Sequence, residues 1–195
     1  WTPYTYLITQ SYVIVNYLRM LFYPTGQCFN HFVNPAGTIL ETRIMASIAI
    51  LTIGLGTVYW LSRKSLPARS WVWFSTVWFI LALAPTSSVF PISDAMAERR
   101  LYLPTWGFSL FVVWLYALIF REPLPKLSSR PAAVTLMGVH ILFLCAATWQ
   151  RNQLYLNPIE MWEDVYIKYP DTYRNNYNLG NLYLEDSKFE KASEL

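Results

Sequence analysis

Charge is what this chain has least of. Of its 195 residues only 14% are Asp, Glu, Lys or Arg, against 54% hydrophobic and 17% aromatic. That balance is too apolar and too aromatic for a typical soluble domain and makes membrane protein the first reading. Cysteine is almost absent. Cys28 and Cys145 lie far apart with no His or Cys companion at ligand spacing, which argues against a disulfide framework or a thiolate metal site and leaves two isolated thiols. Histidine is limited to His31 and His140, too distant in sequence to read as a metal pair, and no metal is expected. His31, in a loop beside Asn30, reads as a solvated side chain, with ligand or proton shuttle as the other readings; His140, inside an apolar run, reads as a helix-packing histidine. No Asn-x-Ser/Thr sequon occurs and no leader segment is recognisable. The chain opens on Trp1 rather than Met and stops at Leu195 inside a periodic segment, so it is expected to be an internal piece of a longer polypeptide.

What is present is long apolar runs. Segments 44–61, 71–90, 104–120 and 131–149 have span-like composition, and at 1.5 Å per residue such lengths cover roughly 26–30 Å of a hydrocarbon core about 30 Å thick. The second is least regular, because Pro85 and the Thr86-Ser87-Ser88 run fall in its last turns and are expected to kink it or open it toward protein or water. Pro104 suits the first turn of the third. Residues 4–23 are apolar but interrupted by Gln10, Ser11, Asn16 and Arg19 and rich in tyrosine, which predicts an amphipathic helix at the membrane surface. Residues 24–41 carry Gly26, Asn30, Asn34, Pro35 and Gly37, turn formers that predict a loop. Arg63, Lys64 and Arg69 separate the first two spans; Arg121, Lys126 and Arg130, with only Glu122, separate the last two. The positive-inside bias places both loops in the cytoplasm. The 94–104 connection, residues 1–41 and everything after Trp149 then face outward, to a bacterial periplasm or the lumen of the endoplasmic reticulum. The short loops lean toward a bacterial inner membrane.

Residues 1–150 carry ten Lys/Arg against four acids, whereas 151–195 carry five against eight. A basic apolar part followed by an acidic polar one predicts a membrane domain at 1–150 and a soluble helical part at 151–195. There Asn176, Leu179, Gly180, Tyr183, Phe189 and Ala192 fall in the register of a tetratricopeptide repeat (TPR), and Trp162, Val165 and Pro170 in that of a preceding half unit. In that register Gly180 and Ala192 let paired helices approach while Leu179 and Tyr183 fill between them. Residues 158–169 then read as an adaptor joining the last span to the array. One repeat cannot bury its own face, so more repeats are expected after Leu195. The predicted fold is all-α: a polytopic helical membrane domain of about four spans plus an interfacial helix, followed by the start of a TPR solenoid.

Chemistry concentrates in the connection between the second and third spans, which holds Asp94, Glu98, Arg99, Arg100 and Tyr102. Guanidinium groups fork onto phosphate oxygens, and an arginine pair at the outer surface is placed to hold the phosphate of a lipid-linked donor whose tail stays in the bilayer. Glu98 can orient an arginine, Tyr102 can offer a hydrogen bond or a sugar-stacking face, and Asp94 is a second acid. The competing reading is that both arginines snorkel to lipid headgroups while Glu98 pairs locally. Nucleic-acid binding has no support, since the basic residues are taken up by the loops.

The run Ala97-Glu98-Arg99-Arg100-Leu101-Tyr102-Leu103-Pro104-Thr105-Trp106-Gly107-Phe108 resembles the AER-x-LY-x-P-S-x-GF signature of the transmembrane and tetratricopeptide-repeat protein family. Leu7-Ile8-Thr9-Gln10 and Tyr17-Leu18-Arg19-Met20-Leu21-Phe22-Tyr23-Pro24 resemble the family's TQ and YLR-x-L-x-x-P segment. Trp162-Glu163-Asp164-Val165 and Asn178-Leu179-Gly180-Asn181 resemble its first repeat. The arginine register departs slightly, with Arg at both positions, and Thr105 stands where Ser is commoner. The resemblance implies a membrane domain of the GT-C glycosyltransferase type, here its C-terminal half, followed by outward-facing repeats. It implies transfer of a sugar, typically mannose, from a polyprenyl- or dolichyl-phosphate donor to protein hydroxyls, with the repeats collecting acceptor proteins; beyond that lipid-linked donor no cofactor is implied. The acidic base of such enzymes is expected upstream of Trp1, leaving Asp94 and Glu98 to donor positioning. Two other functions fit the same features: a non-catalytic membrane-anchored TPR scaffold, and a polymerase or ligase of lipid-linked glycans.

Overall fold

A computed structural model describes residues 1–64, 69–121 and 123–195. Residues 65–68 and 122, in the two loops read as cytoplasmic, lie outside the described residues, as do the side chains of Lys64 and Pro125. All regular structure among the described residues is helical: α1 (Pro3–Phe22), α2 (Thr42–Lys64), α3 (Arg69–Leu83), α4 (Pro104–Phe120), α5 (Pro131–Leu154), α6 (Pro158–Lys168), α7 (Tyr173–Glu185) and α8 (Phe189–Ser193), with short 3-10 turns at Glu98–Leu101 and Leu124–Ser129.

Local chemistry sets the helix ends. Thr2 caps α1 by accepting the Thr5 amide, Thr5 reaches back to the Thr2 amide, and Pro3 occupies the first turn, where its missing N–H costs nothing. Pro104, Pro131 and Pro158 open α4, α5 and α6 in the same way. Asn157 adds a side-chain cap to α6 by accepting the Ile159 amide at 3.1 Å.

Among the described residues two of the four expected spans are helices long and apolar enough to cross a membrane, Thr42–Arg63 and Pro131–Leu154. Only 11% and 6% of their apolar windows are buried among the described residues, so no core of this chain covers them. The other two are shorter. α3 stops at Leu83 after 15 residues and α4 has 17. The segment expected at 71–90 ends early because Pro85 cannot donate to the helix, and Thr86 and Ser87 close the last turn with amide bonds to the Leu83 carbonyl. α3 and α4 pack closely where Gly107 lies against α3: a Cβ there would meet the Ser75 carbonyl oxygen at 2.6 Å.

The opening helix does not lie free on a surface. Tyr6, Val13, Tyr17 and Met20 form one fully covered face at helical spacing and pack with Leu83, Ala95, Met96 and Leu101. The amphipathic pattern is as read, but its apolar face meets protein, the chain between α3 and α4.

Candidate functional site

α1 fastens both loops that follow it in space. The Tyr6 hydroxyl donates to the Thr86 carbonyl at 2.7 Å and Gln10 Nε2 to the Ala95 carbonyl at 3.3 Å. The Tyr17 hydroxyl donates to the Ala97 carbonyl at 3.1 Å and accepts its amide at 2.8 Å. On the same helix Thr9 Oγ1 accepts the Ala36 amide at 2.9 Å, and Arg19 donates to the Thr25 carbonyl at 3.0 Å beside Gly26, whose φ of +67° only glycine adopts readily. The Thr9-Gln10 pair and Arg19 thus hold residues 24–41 on one side and 86–97 on the other.

Those two loops meet at Glu98. Its Oε1 accepts the Cys28 amide at 2.5 Å and lies 2.8 Å from His31 Nε2, while His31 Nδ1 is 3.3 Å from the Tyr169 hydroxyl. The His31 side chain is only 4% exposed. The expectation of a solvated loop histidine is therefore corrected: the residues that form its pocket come from beyond position 97 and are invisible from Asn30 and its neighbours. Glu98 does not orient an arginine; it joins loop to loop.

Asp94 sits between two guanidiniums. Arg99 Nη2 reaches Oδ2 at 2.9 Å and Arg174 Nη1, from α7, reaches Oδ1 at 2.6 Å. Burial, the largest single influence on this carboxyl, pushes its pKa up, but the hydrogen bonds and charges of Arg174 and Arg99 together outweigh it and hold Asp94 below the usual carboxylate range. Arg100 takes another course. Its half-buried guanidinium donates to the Ala95 carbonyl at 3.4 Å and acts on the Tyr6 and Tyr17 hydroxyls, so it turns toward α1 rather than toward lipid. Arg99 remains 66% exposed and Tyr102 is 88% exposed. Of the five residues singled out in the sequence, Asp94 and Arg99 come together, Glu98 and Arg100 are tied inward on separate partners, and Tyr102 stands open.

The segment after α5 docks on the same loops. Asp164 of α6 pairs with Arg151 at 3.1 Å and Lys168 at 2.7 Å, and Lys168 also donates to the Gln27 carbonyl at 2.6 Å. Burial again raises the Asp164 carboxyl most, and Lys168 and Arg151 together bring it below its ordinary value. Asn30 donates to the Oδ1 of the buried Asn175 at 2.7 Å, and the Phe29 and Trp162 rings meet edge to face at 5.5 Å. Among the residues read in repeat register, Leu179 and Tyr183 are buried. The Tyr183 hydroxyl donates to Glu163 at 2.6 Å, and burial followed by that carboxylate pushes its pKa up to about 12. Pro170 lies in the turn before α7, Ala192 is half-buried and Phe189 is exposed. A Cβ on Gly180 would meet only the end of Leu195, at 3.9 Å. In the apolar half, the Tyr116 hydroxyl lies 3.0 Å from His140 Nδ1, joining α4 to α5.

An apolar groove of about 600 Å³ runs between α1, α2, α3 and α4, lined among others by Leu18, Phe22, Ile50, Phe79, Phe108 and Trp114. Phe108 stands in the second turn of α4, directly after the loop that carries Arg99, and meets Phe22 edge to face at 4.8 Å. No group of three or more metal-ligating side chains occurs among the described residues. Cys28 is buried, which raises its thiol, and is not paired. The contacts missed from sequence, Arg174 on Asp94 and His31 on Glu98, join residues 67 or more positions apart, and no local pattern signals them.

No family model and no solved structure matches the chain. Among curated proteins it is 26% identical, over 96% of its own length, to a protein O-mannosyl-transferase of Caenorhabditis elegans. It is 23% identical to the protein O-mannosyl-transferase TMTC1 of Mus musculus over 98% of its length, and 23% identical to that of Homo sapiens over 95%. The chain spans only 21–26% of the length of these relatives. The resemblance to the transmembrane and tetratricopeptide-repeat family, carried first by residues 97–108 and the opening segment, thus extends along nearly the entire chain to relatives named protein O-mannosyl-transferases.

Proposed function

We infer that this chain is part of an integral membrane glycosyltransferase of the GT-C kind that moves a sugar, mannose by the names of its relatives, from a polyprenyl-phosphate donor to protein hydroxyls on the outer face of a bacterial inner membrane or the luminal face of the endoplasmic reticulum. The observation that carries the reading is similarity, over nearly the whole chain, to proteins named protein O-mannosyl-transferases. The site's geometry supports it. Arg99 is presented outward from a loop fastened by α1, and the groove beginning at Phe108 has the apolar lining that a prenyl tail requires.

In the transfer, the acceptor oxygen bonds to the sugar's anomeric carbon and the bond from that carbon to the phosphate oxygen breaks, its electron pair leaving with the phosphate. A guanidinium at that phosphate stabilises the charge that develops on it. The acceptor's proton goes to a base, and both loop acids are already engaged, Asp94 by two arginines and Glu98 by His31 and the Cys28 amide. Asp94 and Glu98 therefore act as positioning residues, and α6–α8 begin the repeats that collect acceptors. The same engagement of both acids favours one other reading, a membrane-anchored scaffold without transfer activity.

The test is glycoproteomic. Cells lacking the complete polypeptide are compared with cells in which it is restored, and outward-facing proteins are searched for hexose on Ser and Thr. Sites that appear only on restoration support the enzyme. Identical site lists, with the protein present and correctly inserted, contradict it.

A further inference from the structure

The Asp94 carboxylate is only 16% exposed, yet the two arginines that hold it are 66% and 60% exposed. Each spends one Nη on the carboxylate, and neither makes another side-chain hydrogen bond among the described residues. A guanidinium carries five N–H donors in a rigid planar fork, so most of each fork remains open. The charge is also unbalanced, since one carboxylate stands between two permanent cations. Arg174 lies in the first turn of α7, which has no acidic residue there, the end of a helix where a positive side chain is opposed by the helix dipole and an anion is favoured. Asp94 offsets only part of that. Two open forks on either side of one half-buried carboxylate present the planar, bidentate donors that phosphate oxygens accept.

We propose that Arg174 is a phosphate-binding residue of this site, so that α7 completes from the polar half of the chain what Arg99 begins in the loop. The ligand is the phosphate ester of a membrane-embedded lipid, held between Arg99 and Arg174 on the outer side of Asp94. This rests on the reading of the loop as a phosphate site and adds to it a residue from outside the loop. It also makes docking of α6 and α7, through Asn30 with Asn175 and Lys168 with Gln27, a condition for the site to exist.

The experiment measures binding of a fluorescent polyprenyl phosphate to the complete polypeptide in phosphatidylcholine nanodiscs, for wild type, Arg99→Ala, Arg174→Ala and Arg174→Lys, with thermal unfolding of each. Arg174→Ala is expected to weaken binding about tenfold, as Arg99→Ala does. Arg174→Lys keeps the charge and the contact to Asp94 but not the fork, and is expected to unfold like wild type while still binding several-fold more weakly. Wild-type affinity in both Arg174 variants beside a loss in Arg99→Ala would overturn the proposal and leave Arg174 as a tether between segments. Wild-type affinity in Arg99→Ala as well would sink the underlying reading of the loop. Repeating the series in phosphatidylglycerol nanodiscs separates the phosphate's source. Arg174-dependent binding that survives there belongs to the polyprenyl phosphate, binding abolished there belongs to bulk headgroups, and either supports Arg174 as a phosphate-binding residue.

Discussion

Glu98 accepts from the Cys28 amide and meets His31 on the same oxygen, and the far side of the His31 ring faces the Tyr169 hydroxyl. Cys28 and His31 meet on this one carboxylate oxygen and Tyr169 backs the ring, so removing a partner leaves a polar group covered without compensation. His31→Ala is expected to destabilise the complete polypeptide by about 1–3 kcal/mol, and Glu98→Gln, which keeps the shape and one acceptor, by less; thermal unfolding in detergent gives the order. In the double variant the losses should fall short of their sum, because the contact is counted once. The sequence made Glu98 conspicuous through its motif but could not give its partner. A histidine's environment is decided by residues that fold over it, and those lie beyond residue 97. Arg99 and Asp94 were legible together because they are five residues apart. Arg174 was not, being 80 positions from the carboxylate it shares.

Among the helices, the α3–α4 contact turns on Gly107. A Cβ there would stand 2.6 Å from the Ser75 carbonyl oxygen and 3.2 Å from the Phe79 amide nitrogen, backbone atoms with little freedom to retreat. Gly107→Ala is expected to push α4 away from α3 at a cost of about 1–3 kcal/mol, and Gly138→Ala, which meets nothing within 4 Å, to leave stability unchanged or slightly raised; unfolding of the two variants side by side checks the contrast. Helix positions were readable because proline at the first turn and apolar runs are local signals: Pro104, Pro131 and Pro158 each open a helix. The length of α3 was not, since the apolar run continues past Leu83 in composition while Pro85 ends the hydrogen bonding. The partners of α1's apolar face were not legible for a related reason. Tyrosine suits a headgroup layer and a protein interior alike, and here the hydroxyls of Tyr6 and Tyr17 find backbone partners on residues 86 and 97.

Across the whole molecule, two carboxylates hold the polar C-terminal helices in place: Asp94 ties α7 to the loop of the apolar half through Arg174, and Asp164 ties α6 to the end of α5 through Arg151 and holds Lys168, which reaches the Gln27 carbonyl. Both are held below the usual aspartate range against the opposing pull of burial. A carboxylate lowered in the folded state contributes stability that is complete above its unfolded value, about 4, and that is lost as pH falls through the lowered one. Docking should therefore be flat from neutral pH down to about 5 and weaken below about 4, and Asp164→Asn should flatten part of that fall; unfolding temperature followed from pH 7 to pH 3 measures it. The charge asymmetry between 1–150 and 151–195 is a difference of composition and said nothing of these ties.

On the function proposed above, the loop at residues 94–102 handles the phosphate of a lipid-linked sugar. The direct measurement reconstitutes the complete polypeptide in proteoliposomes with radiolabelled polyprenyl-phosphate mannose and a mixed periplasmic or luminal protein acceptor, comparing wild type with Arg99→Ala/Arg100→Ala. Label on protein is expected with wild type, with a loss of at least about tenfold in the double variant, the Arg99 contact to the leaving group going together with the Arg100 tie that holds the loop to Ala95, while that variant still inserts and folds. Transfer that proceeds at the wild-type rate in the folded double variant, or no transfer by wild type with any donor and acceptor offered, would contradict it.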